Sequence, residues 1–134
     1  MLDRKFIREN RERPFLLYLA HNMPHTPLHA SERFRGRSQG GLYGDVVECI
    51  DWSMGRLLDT LDELDLARDT VVVFLSDNGP WYLFGEHAGN ATPLRSSKGS
   101  TYEGGFCVPC VVRWPGHIPA GQTCEEMVTS MDIL

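Results

Sequence analysis

Apolar residues recur at helical spacing along one stretch of the chain and gather into short continuous runs at three others. Over residues 43–64, Val46, Val47, Ile50, Met54, Leu57, Leu58, Leu61 and Leu64 fall three or four positions apart, with Asp and Glu on the remaining face, which predicts an amphipathic helix. The runs 15–20 (Phe-Leu-Leu-Tyr-Leu-Ala), 71–75 (Val-Val-Val-Phe-Leu) and 110–114 (Cys-Val-Val-Arg-Trp) are short for helices and rich in β-branched or aromatic residues, so they predict strands. Strand, helix, strand over 15–75 is the βαβ pattern, whose right-handed crossover makes its two strands parallel. The expected architecture is α/β, a parallel-rich sheet with covering helices.

The flanking segments add a helix over 1–13, stopped by Pro14, and the capped beginning of another at 130–134. In the first of these, Arg4, Arg8, Arg11 and Arg13 interleave with Asp3, Glu9 and Glu12, the pattern of a solvated helix. Residues 80–105 are rich in Gly, Ser, Thr and Asn and show no period. A connection of that length in a compact domain is usually a lid or binding loop.

Composition narrows the field. With 42% hydrophobic and 23% charged residues the chain is an ordinary globular sequence, and its net charge of -5 without a basic run excludes a general nucleic-acid binder. No apolar stretch approaches the roughly 20 residues of a membrane helix, so no membrane insertion is expected. Cys49, Cys107, Cys110 and Cys124 show no zinc-type pairing.

Two loops hold the candidate chemistry. The strand at 71–75 ends in Ser76-Asp77-Asn78-Gly79, where functional groups of open α/β sheets gather, and Asp and Asn oxygens are hard ligands suited to calcium or magnesium. An ordinary turn is the plain alternative for that tetrapeptide. Calcium takes about six to eight oxygens, so the pair by itself is an incomplete site. The strand at 15–20 runs into His21-Asn22-Met23-Pro24-His25-Thr26-Pro27. Its prolines forbid a helix that would align His21, His25 and His29, and they hold His25 beyond the strand, placed to bind an anion or protonate a leaving group. A histidine satisfied by a local backbone bond fits as well. Lys98 stands among small residues that let its ammonium approach an anion, or it is a solvated surface lysine. Trp81, Tyr82, Phe84 and His87 lie in a loop that either lines a substrate pocket or simply packs.

Taken in order, Ser76-Asp77-Asn78-Gly79, Pro93-Leu94-Arg95-x-x-Lys98-Gly99-x-Thr101-x-Glu103-Gly104-Gly105, Pro109 and Arg113-Trp114-Pro115-Gly116 resemble the sulfatase family, most closely its arylsulfatase branch. His21 to Pro27 and Met131-Asp132-Ile133-Leu134 extend the resemblance over nearly the whole chain. It implies the alkaline-phosphatase-like α/β fold, with residues 1–134 as one partial catalytic domain, its middle-to-late portion. It also implies hydrolysis of a sulfate ester, carried by a small molecule or carbohydrate, with bound calcium (Ca2+) and a formylglycine nucleophile made from Cys or Ser. Export to a periplasmic, secreted or lysosomal location follows from the same resemblance.

By resemblance, Asp77 and Asn78 match two calcium ligands, while His25 and Lys98 match residues that grip sulfate and assist the leaving oxygen. The modification motif is Cys or Ser, any residue, Pro or Ala, any residue, Arg. Cys107-Val108-Pro109 begins like it, but Cys110-Val111 departs from it, and Cys107 sits where many relatives carry arginine. The nucleophile is therefore expected upstream of Met1, where the family's amino-terminal aspartates are also expected. Ser96 stands where glycine is common in the family. Two other readings stay open: a non-catalytic fragment or pseudoenzyme that binds an anion at most, and a phosphodiesterase or phosphatase on the same fold, against which the Asp-Asn pair with Lys98 argues.

Overall fold

A computed structural model describes residues 2–133. The helical period produces α2, Gly41–Glu63, whose inward positions Val46, Leu57, Thr60 and Leu61 are buried. Helix α1, Leu2–Asn10, crosses it, and Ile7 closes on Leu57 and Leu61 to make the core, with Phe15, Leu17, Leu64, Leu66 and Val72 packed around it. Of the α1 arginines, Arg4 is drawn inward, while Arg8 stays exposed and pairs at the surface. Arg4 Nε donates to the buried Thr60 hydroxyl at 2.7 Å, and Arg8 pairs with Glu63 at 2.5 Å. Both bonds join α1 to α2, though an exposed ion pair such as Arg8–Glu63 adds little energy.

The connection before α2 is held by one carboxylate. Buried Asp45 accepts from the main-chain N–H groups of Gly36 (2.6 Å), Arg37 (3.0 Å) and Ser38 (2.8 Å). The Ser38 and Gly36 bonds, and less strongly that of Arg37, hold its carboxyl below the usual carboxylate range, because each favours the charged form.

After a short 3-10 turn at Ala67–Asp69, β1 spans Val72–Leu75, and β2 spans Cys110–Arg113. They pair antiparallel, Val72 opposite Arg113 and Leu75 opposite Cys110. Arg113 reaches Asp62 of α2 at 3.0 Å, and the Trp114 indole donates to the Arg68 carbonyl at 2.8 Å, so β2 and the residue after it are tied back to α2 and the 3-10 turn that follows it. This two-stranded sheet is the only sheet among the described residues.

The expected parallel pair, 15–20 with 71–75, is not formed among the described residues. The run 15–20 forms no ladder here; Leu16 is 79% and Tyr18 88% exposed, so its apolar character is not used in local pairing. Around the candidate loops, the structure adds a 3-10 segment at Tyr82–His87 and α3, Glu103–Phe106, both within the stretch expected to lack a period. The closing turn is 3-10, Ser130–Ile133, and Asp132 accepts from the Thr129 main-chain N–H at 2.7 Å, much as a capping residue does. The expected ends at Met1 and Leu134 lie outside the described residues. No helix among the described residues is long and apolar enough to cross a membrane.

Candidate functional site

Val72–Leu75 delivers Ser76-Asp77-Asn78-Gly79 at the end of β1, as the run of β-branched residues predicts. The Ser76 hydroxyl donates to the Asn78 carbonyl at 2.9 Å and closes the turn, leaving Asp77 exposed and Asn78 half-buried. Main-chain bonds then tie the turn to the distant segment 95–105. Gly79 N–H donates to the Gly105 carbonyl at 3.0 Å, Lys98 N–H to the Pro80 carbonyl at 2.9 Å, and Gly104 N–H to the Arg95 carbonyl at 2.8 Å.

Glycine is required where these backbones meet. A Cβ on Gly79 would overlap the Gly104 carbonyl oxygen, and one on Gly105 would lie 2.7 Å from the Ser100 carbonyl oxygen. The acid–amide turn and the Lys98 loop are consequently one interlocked unit, joined by residues far apart in sequence. Within that loop Ser96 has φ 68°, the left-handed region that glycine occupies at no steric cost.

Trp81 follows directly. Lys98 Nζ lies 5.4 Å from its ring centroid, within cation–π range, and the His25 ring lies 6.3 Å from it on a tilted plane. His25 Nδ1 is 2.8 Å from the Thr26 carbonyl oxygen. A carbonyl only accepts, so this contact assigns the proton to Nδ1 and leaves Nε2 free to accept, or to donate when the ring is charged. His25 thus has the local backbone bond considered in the sequence and still keeps one nitrogen available.

The structure therefore gathers His25 and Lys98 about one indole and joins Lys98 by main-chain bonds to the turn bearing Asp77 and Asn78. His21 and His29 are exposed and lie in irregular structure, not on a helix. The sequence singles out Trp81 as a loop aromatic, but not its contacts with His25 and Lys98. Its position one residue beyond Pro80 was the available signal.

As oxygen donors, Asp77 and Asn78 suit a hard divalent cation, and Asp77's exposure leaves its carboxylate accessible. Among the described residues no cluster of three or more His, Cys, Asp or Glu forms that would complete such a site. The four cysteines are free, and the Cys107 N–H closes α3 on the Glu103 carbonyl at 2.8 Å, a structural place.

Fold and site together define an α/β protein with oxygen donors and basic groups gathered beyond the end of one strand. The chain belongs to the sulfatase family: the family model described as Sulfatase matches residues 3–134. It is 46% identical to steryl-sulfatase of Homo sapiens over 134 residues, covering 96% of this chain and 23% of that protein. It is 42% identical to N-acetylgalactosamine-6-sulfatase of Homo sapiens, covering 94% of this chain and 24% of that protein.

Among solved structures, the PsFucS1 sulfatase from Pseudoalteromonas sp. superposes with a TM-score of 0.86 at 31% identity, covering 90% of this chain and 25% of that one. Ps i-CgsB, solved in complex with k-i-k-neocarrahexaose, superposes with a TM-score of 0.78 at 38% identity, covering 90% of this chain and 28% of that one. The chain spans about a quarter of the length of the curated relatives it matches.

Proposed function

We propose that this chain supplies the sulfate-gripping groups and part of the calcium site of an arylsulfatase-like enzyme, so that the complete protein hydrolyses sulfate esters. The observation that carries this reading is the meeting of His25 and Lys98 at Trp81, on a loop interlocked with the Asp77-Asn78 turn. Lys98 neutralises charge on the sulfuryl oxygens, and His25, through Nε2, serves the ester oxygen as it leaves. Asp77 and Asn78 hold calcium through their side-chain oxygens, with the remaining ligands supplied from outside these residues. Calcium, when bound, withdraws charge from the sulfuryl oxygens.

The nucleophile, a formylglycine, also comes from outside these residues, since the sequence around Cys107 departs from the modification motif. The run 15–20, apolar and exposed at Leu16 and Tyr18, reads as a strand of a parallel-rich sheet in the complete domain. Export of the complete protein follows from the family, and its substrate is a sulfated small molecule or carbohydrate.

The test is hydrolysis of an aryl sulfate by the full chain carrying its modified nucleophile, with calcium present. Lys98→Ala and His25→Ala should each lower kcat/KM by about 10²–10³-fold, the scale for losing one preorganised charge-stabilising group. Asp77→Ala should raise the calcium concentration needed for half-maximal rate. No hydrolysis by the full chain, or kcat/KM within threefold of wild type in both basic-residue variants, overturns the assignment.

A further inference from the structure

The two basic groups of the candidate site meet at a residue that carries no charge. The centroid of the Trp81 indole lies 5.4 Å from Lys98 Nζ and 6.3 Å from the centre of the His25 ring. Lys98 is half-buried, and among the described residues no carboxylate lies within ion-pair distance of it. Arg8, Arg56 and Arg113 are held differently, each by an acidic side chain. The difference matters chemically. A carboxylate would hold the ammonium but cancel its charge and repel an incoming anion, whereas an aromatic face attracts a cation through its quadrupole and leaves the positive charge available. An ammonium on a flexible stem needs such a rest to keep one position.

The indole is itself fixed on both sides. The Lys98 N–H donates to the Pro80 carbonyl at 2.9 Å, so main chain and side chain of one lysine meet neighbouring residues of the other loop. The Phe84 N–H donates to the Trp81 carbonyl at 3.1 Å, and the two rings meet nearly edge to face, centroids 4.9 Å apart with planes at 69°. Just beyond, the Tyr82 hydroxyl accepts from the Ala91 N–H at 3.0 Å. His25 has a second hold, the contact of its Nδ1 with the Thr26 carbonyl oxygen at 2.8 Å. Among the described residues the Lys98 ammonium has no such bond, so it is the group that depends on the ring.

We propose that Trp81 is the positioning residue of this site: its indole face holds the Lys98 ammonium in place for the anion without neutralising it. This rests on the reading of Lys98 as a sulfate-gripping group. Trp81 acts through Lys98, and what it contributes is the cation–π contact rather than the volume it fills. Three substitutions separate these. Trp81→Phe keeps a π face, weaker than that of indole; Trp81→Leu keeps apolar bulk and removes the face; Lys98→Ala removes the cation on which the face acts.

The experiment uses the full chain and has two readouts. In the first, NMR of protein carrying isotope-labelled lysine follows the ε-methylene protons of Lys98, which an indole face shifts upfield. Wild type and Trp81→Phe should show that shift, and in Trp81→Leu the protons should return to the ordinary lysine position. The second is a double-mutant cycle on kcat/KM for an aryl sulfate. Trp81→Leu should cost about tenfold, the scale of a partly desolvated cation–π contact, and Trp81→Phe about threefold or less. In the Lys98→Ala background the same Trp81→Leu change should cost less than about twofold, because the cation is gone. Equal activity of Trp81→Leu and Trp81→Phe, an equal cost of Trp81→Leu with and without Lys98, or no upfield shift in wild type overturns the positioning role. Wild-type kcat/KM in Lys98→Ala, alongside an intact upfield shift in wild type, overturns instead the reading of Lys98 as a sulfate-gripping group, while the contact itself stands.

Discussion

Replacing Gly79 by alanine places a methyl group against backbone that cannot step aside. The new Cβ would overlap the Gly104 carbonyl oxygen, lie 2.9 Å from its carbon and 3.3 Å from the Gly105 Cα. Relief requires the turn and the 95–105 segment to separate by on the order of 1 Å, a displacement large enough to cost about 10²-fold in rate when it misplaces catalytic groups. The same separation stretches the Gly79–Gly105 bond of 3.0 Å and the Lys98–Pro80 bond of 2.9 Å. At a net worth of roughly 0.5–1.5 kcal/mol for each hydrogen bond, stability should fall by about 1–3 kcal/mol.

Both effects are measured on the full chain, stability by urea denaturation and activity as kcat/KM for an aryl sulfate. Gly55→Ala serves as the control. It lies inside α2 with nothing within 4 Å of its added Cβ, so it should stabilise by about 0.5–1 kcal/mol without touching kcat/KM. A Gly79→Ala protein whose stability and kcat/KM both match wild type within error would refute the interlock between the two loops.

Two further expectations concern Ser96 and Asp45. Ser96→Gly removes the cost of a left-handed serine, roughly 1–2 kcal/mol, less the added freedom of glycine in the unfolded chain, so urea denaturation should show a gain of about 0.5–1 kcal/mol; Ser96→Ala should show none, and equal behaviour of the two variants would contradict it. Asp45→Asn should lower the melting temperature at neutral pH, because the neutral amide is a weaker acceptor for the three N–H groups. Since the folded carboxyl titrates below its unfolded value, the wild-type advantage is fully present above the usual carboxylate range and is lost as pH falls through the folded pKa. A melting-temperature difference that does not shrink on acidification would refute the role of the Asp45 charge.

Much was legible locally. Helix α2 was readable from the spacing of Val46, Leu57 and Leu61, whose burial on one face leaves a helical period, and β1 from its run of β-branched and aromatic residues, although Phe74 and Leu75 stay exposed among the described residues. The placement of Asp77 and Asn78 followed from the end of that strand, and the ordered motifs around Lys98 and Gly104-Gly105 carried the family. The solvated reading of α1 missed Arg4, since an arginine on a polar face looks the same whether it meets water or the buried Thr60 hydroxyl.

By itself the sequence determined that α2 is helical, that β1 and β2 are extended, and which residue types stand at the strand ends, because these depend on near neighbours and on hydrophobic period. Only the tertiary structure decided that β1 pairs antiparallel with β2, that 15–20 forms no ladder among the described residues, and that Trp81 joins His25 to Lys98. Strand pairing and loop packing depend on residues distant along the chain. Nothing local to Pro80-Trp81 specifies which cation will rest on the indole; the main-chain bonds from Gly79 and Lys98 do, and those exist only once the two loops have met.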